Sequence, residues 1–145
     1  MLPRWHIFWG AILTAVLWVF NQDIQLYALV LVFLASIFID LDHYICAVLK
    51  TRKLSLSDAF LYHKKAEQHH QAERARGILN RGDFHLFHTL EFHVLMGLLA
   101  LFHTSFLYIF IGMIFHSLLD LGYILHKDVL YRREYFFFNW LGEKF

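Results

Sequence analysis

Three short stretches put acids and imidazoles inside apolar surroundings. They are "SIFIDLDHYICAV" with Asp40, Asp42 and His43, "FHTLEF" with His88 and Glu91, and "GMIFHSLLD" with His116 and Asp120. Each stretch carries a pair spaced i,i+3 (Asp40 and His43; His88 and Glu91) or i,i+4 (His116 and Asp120), so on a helix each pair shares a face. A charged group at the centre of a bilayer costs about 3 kcal/mol or more unless it pairs or binds a cation, so such residues should point into the bundle. Facing one another, the carboxylates repel unless a cation sits between them. Asp, Glu and His together suit Zn, Mn or Fe, and carboxylates in excess of imidazoles admit one ion or two. The expected ligands are His6, Asp40, His43, His88, Glu91, His116 and Asp120, with Asp42 and Glu91 as the carboxylates able to act as general base. The chemistry would be hydrolysis, in which a bound water with a lowered pKa attacks a phosphoester or acyl centre.

Composition sets the solvent in which this happens. The chain has 145 residues, of which 59% are hydrophobic and 19% aromatic, with a mean hydropathy of +0.47. That is an all-α integral membrane protein rather than a soluble one. A net charge of +1 offers no general field for nucleic acid. The single cysteine, Cys46, excludes both a disulfide framework and a thiolate zinc site. Eleven histidines are left to explain.

Four spans are expected, over about 5–20, 24–49, 84–102 and 106–126, with a loop at 50–83 and a tail at 127–145. The first apolar run follows Arg4 and lacks a small-x-small cleavage site, so it reads as a retained span and not a signal peptide. Splitting the last apolar region at His103-Thr104-Ser105 places all 13 lysines and arginines on one side. Without the split, Lys127, Arg132, Arg133 and Lys144 cross to the other. The positive-inside rule prefers the split, with both termini cytoplasmic in an inner or plasma membrane. Ser57 is placed to cap a cytoplasmic helix in the loop. The loop's basic excess suits anionic lipid headgroups. The tail "VLYRREYFFFNWLGEKF" reads as interfacial.

Counted from the outer turns at ~1.5 Å per residue, Asp40, His88, Glu91, His116 and Asp120 fall ~15–24 Å deep, in the inner half of the bilayer. His6 joins that band from the cytoplasmic start of the first span. A site at this level favours a lipid or lipid-linked substrate. His63, His69 and His70 read as surface groups of the loop helix, His85 and His93 as flanking groups, and His103 and His126 as solvated helix ends.

The same residues admit plainer roles. Asp40, Asp42 and His43 suit a hydrated helix end, and His116 with Asp120 suits an interhelical hydrogen bond. A non-enzymatic scaffold with a polar interhelical network therefore stays open. A di-iron or haem oxidoreductase fits less well, because "HKKAEQHH" and "HLFH" do not match desaturase histidine boxes.

The boxes "IDLDH", "FHTLEF" and "GMIFHSLLD" together resemble the small membrane-bound metal-dependent hydrolases, a family described as LexA-binding inner-membrane hydrolases. That family shows an early His followed by Gly, a D-x-D-H box, a His-Arg…Thr-His-Ser box and a late G-x-x-x-H-x-x-x-D box. His6 with Gly10, Asp40 with Asp42 and His43, and His116 with Asp120 match these positions. "HLFHTLEF" lacks the Arg and the Thr-His-Ser order. The resemblance implies a metal more directly than it implies a reaction.

Overall fold

The apolar runs fold as helices whose outward faces are greasier than their interior. The computed structural model describes residues 3–144. Met1, Leu2 and Phe145, the ends of the single membrane domain expected from the sequence, lie outside the described residues. Seven α-helices, with no strand among the described residues, follow in the order α1 Pro3–Phe20, α2 Leu26–Phe38, α3 Leu41–Thr51, α4 Leu56–Ala75, α5 Leu90–Ala100, α6 Thr104–His126 and α7 Phe137–Lys144. Short 3-10 turns lie at Leu86–His88 and Leu130–Arg132.

Two stretches are long and apolar enough to cross a membrane: Leu26–Thr51, which joins α2 to α3, and Thr104–His126. Trp9, Val16, Trp18, Leu34, Val94, Leu98 and Leu118 are exposed, whereas His6, Ser36, His88, Thr89, His116 and Asp120 are buried. Water would drive the opposite arrangement, since folding in water hides apolar surface first. Large apolar side chains outside and polar ones inside suit a bilayer.

The central helix is α2, packed between α1 and α6. Small residues bring these helices close. A Cβ on Gly112 would collide with the Val32 carbonyl and reach within 2.8 Å of Ala35 Cβ, and one on Gly10 would strike Ser36. Close approach through glycine is how helices associate where lipid offers no hydrophobic drive between them. The apolar core is small, comprising Ile39, Met96 and Met113.

The expected continuous helix over 24–49 is interrupted, because the Ser36 carbonyl accepts from His116 Nδ1 at 2.8 Å. In a continuing helix that carbonyl would take the Asp40 N–H, which turns instead to Ile37 O at 3.3 Å. The expected span over 84–102 is also shorter. His88 lies in a 3-10 turn and α5 starts only after Thr89, whose Oγ1 caps it by accepting from Phe92 N at 3.3 Å. The loop helix starts at Leu56, and Ser57 shares a hydrogen bond with Ser55 instead of capping it. It ends at Ala75, before Gly77 at φ 76°.

Candidate metal centre

The break between α2 and α3 delivers Asp40 to a point that α6 and the 86–88 turn also reach. His88 Nε2 and His116 Nε2 are 3.3 Å apart. Asp40 Oδ1 lies 3.3 Å from His116 Nε2 and 3.5 Å from His88 Nε2. Asp120 Oδ2 lies 3.8 Å from each imidazole. Ligand bonds of about 2.0–2.2 Å in a tetrahedron set neighbouring donors about 3.3–3.6 Å apart, which His88, His116 and Asp40 match and Asp120 exceeds slightly. Asp40, His88, His116 and Asp120 can thus hold one ion.

The outer nitrogens decide which way the inner ones face. His116 Nδ1 donates to the Ser36 carbonyl, and His88 Nδ1 donates to Asp42 Oδ2 at 3.1 Å. In its neutral form each ring therefore turns an Nε2 lone pair toward the other, the tautomer a metal needs and the arrangement that orients metal-binding histidines. Two lone pairs at 3.3 Å beside two carboxylates attract a cation.

His6 adds a third imidazole from α1. It is 1% exposed, stacks on His116 with ring centres 3.8 Å apart, and sets Nε2 3.2 Å from Asp120 Oδ1. Its Nδ1 has no hydrogen-bond partner, and its Nε2 meets the Asp120 carboxylate. A buried ring nitrogen without a partner is costly in free energy, and a metal bond would satisfy it. His43 lies at the rim, its Nε2 3.6 Å from Asp40 Oδ1 and its ring 3.6 Å from that of His85. With Asp42 and His88 it forms a second group of potential ligands.

Two expectations need correcting. Glu91 is not at the centre. Its carboxylate accepts from the backbone N–H of Phe137 at 2.9 Å and of Phe138 at 3.4 Å, capping the first turn of α7. Because His88 lies in the turn before α5, the assumed i,i+3 face with Glu91 does not form. Asp42 is placed as an orienting group and not as a base. Its Oδ2 accepts from His88 Nδ1 and from Phe87 N at 2.9 Å, behind the imidazole rather than before the ion.

One residue of the centre had no signal among the apolar helices. Arg133, from the tail, donates through Nη2 to Asp120 Oδ2 at 2.7 Å. Only its crowd of charged and aromatic neighbours in "YRREYFFF" marked the segment, and that pattern reads as interfacial. The loop histidines also differ from the reading as surface groups. His63 Nε2 donates to the His43 carbonyl at 2.9 Å, whereas His69 stays exposed beside Glu73. His93 bridges the Thr89 carbonyl and Ser117 Oγ, tying α5 to α6, and His103 caps α6 by accepting from Ser105 N.

Searches against protein-family models, curated proteins and solved structures return no match for this chain.

Proposed function

We propose that the chain is a membrane-embedded metal-dependent hydrolase with four spans, α1, α2 with α3, α5 and α6, both termini and α4 on the cytoplasmic side. One observation carries the reading. Two buried imidazoles with committed Nδ1 atoms aim Nε2 lone pairs at the same point as Asp40 and Asp120. This donor set suits Zn, Mn or Fe. The matching boxes at His6, Asp40 to His43, and His116 to Asp120 support placement beside the small membrane-bound metal-dependent hydrolases.

Asp40, His88, His116 and Asp120 would hold a divalent ion, which when bound would lower the pKa of a water for attack on an ester centre. The chain's own residues do the remainder. Asp42 and the Ser36 carbonyl hold the two imidazoles in register. Asp40, 21% exposed, lines a cleft, so the donor set is open to a substrate on that side. The exposed apolar faces of α1, α2 and α6 suit a centre surrounded by lipid, and the basic excess of the 50–83 loop suits anionic headgroups.

Elemental analysis of the detergent-purified protein beside folded His116→Ala tests this. The expected result is about one equivalent of Zn, Mn or Fe in the parent and none in the variant. A folded parent without metal after incubation with these ions leaves a scaffold held by polar interhelical contacts.

A further inference from the structure

The centre opens into a cleft of about 780 Å³. Asp40 of the centre lines it together with Arg133, Arg132, Lys64, His63 and Glu67. We propose that this cleft is a phosphate-binding subsite, with Arg133 gripping the phosphate group of a substrate brought to the metal. The proposal rests on the metal reading above and names the substrate class for it.

Charge balance comes first. Asp40, Asp42 and Asp120 bring three negative charges to the centre, and Arg133 returns one positive. A divalent ion together with Arg133 would offset these carboxylates and lower the repulsion of an arriving anion. Arg133 supplies the cation that a second metal would provide in a two-metal site. Of the five donors on a guanidinium, Arg133 uses one nitrogen on Asp120. The fork retains donors for a phosphate, which it can grip in bidentate fashion.

Further out the cleft is also lined by two acids, Glu67 and Asp83, each already engaged, Glu67 by Arg132 and Asp83 by Lys50 and Tyr62. Arg132 gives Nη1 to Glu67 at 2.6 Å, but its Nε is buried without a partner. His85 Nδ1, on the same wall, is also buried without one. Lys64 is exposed and joins no ion pair among the described residues.

The segment that carries Arg133 is held from both sides. Gly82 N donates to the Arg132 carbonyl at 2.7 Å and Leu90 N to the Tyr135 carbonyl at 2.8 Å. A Cβ on Gly82 would come within 3.1 Å of that carbonyl. Arg133 is thus presented to the cleft by a fixed backbone, as positioning of a reacting group requires.

The test is calorimetric titration of the zinc-loaded, detergent-solubilised chain with inorganic phosphate and with mixed micelles containing phosphatidic acid or phosphatidylcholine. Zinc content is measured on every sample. Parent protein should bind phosphate or phosphatidic acid and ignore phosphatidylcholine. Tighter binding of the lipid names a headgroup as the source, and equal binding names a soluble phosphate. Arg133→Gln should keep its zinc and bind at least tenfold more weakly, with Arg133→Lys recovering part of the loss. Lys64→Gln, far from the packed interior, should weaken binding a few-fold and tests the cleft if Arg133→Gln fails to fold. Zinc-loaded parent that binds neither probe overturns the subsite alone, and so does Arg133→Gln that binds like the parent. Loss of zinc from Arg133→Gln assigns Arg133 to holding the centre and also overturns it. A parent without zinc overturns the metal reading first.

Discussion

The candidate metal centre and the clasp that holds the tail both combine carboxylates with an arginine, yet they are put together in opposite ways. In the clasp every acid meets a donor. Glu91 receives two backbone N–H groups, Arg81 bridges Glu134 and Glu143, and Phe84 stacks on Trp140 at 4.2 Å. In the centre acceptor faces acceptor, with Nε2 against Nε2 and a carboxylate on either side, and one arginine among them. A polar cluster that satisfies itself is structure. One that leaves aligned lone pairs is prepared for a ligand.

Four measurements press on this contrast. The largest effect is expected from His88→Ala, which removes an aligned donor and should abolish metal retention, read by elemental analysis of the folded variant. Asp42→Asn keeps the donor and loosens its orientation, so metal affinity should fall roughly 10–100-fold in a competition titration with a chelator. A fall as complete as that of His88→Ala would make Asp42 a ligand. Glu91→Gln should leave metal content unchanged and lower the thermal midpoint, by about 1 kcal/mol of stability for the weakened charge-assisted bonds to α7. Metal loss there would erase the distinction between the two regions.

The smallest effect concerns Asp83, outside the spans. Burial would raise its carboxyl, but hydrogen bonds from Lys50 and Tyr62 outweigh that and hold it below the ordinary carboxylate range. A carboxyl with a lowered native pKa stabilises the fold above its unfolded value, about 3.9, and loses that contribution as pH falls through the native value. Asp83→Asn should therefore flatten the stability curve below about pH 4, measured by acid unfolding, with metal binding at neutral pH unchanged.

Much of the centre was legible because a polar residue in an apolar helix has few reasons to be there. His116 and Asp120 belong to an intact helix, so their i,i+4 spacing carries straight into space. Asp40 and His6 were readable for the same reason. Glu91 misled because its partners lie 46 and 47 residues away, where no local pattern reaches. His88 sits in a turn that "HLFHTLEF" does not announce, since Leu, Phe and His there suit a helix as well. The break at Ile39 to Asp40 follows from a hydrogen bond to His116, 80 residues on, so helix propensity could not foretell it.

The stacking of His6 on His116 and the hydrogen bond from Arg133 to Asp120 also fix an order of events during synthesis. A ribosome delivers His6 first and Arg133 more than a hundred residues later, at roughly 5–20 residues per second. For many seconds the early helices must wait with Asp40 and His6 lacking their eventual neighbours. The binding point closes only after the tail has emerged and folded back. On the proposed reading, loading with metal would be a late step, and a chain truncated before Arg133 would lack the guanidinium that Asp120 accepts from.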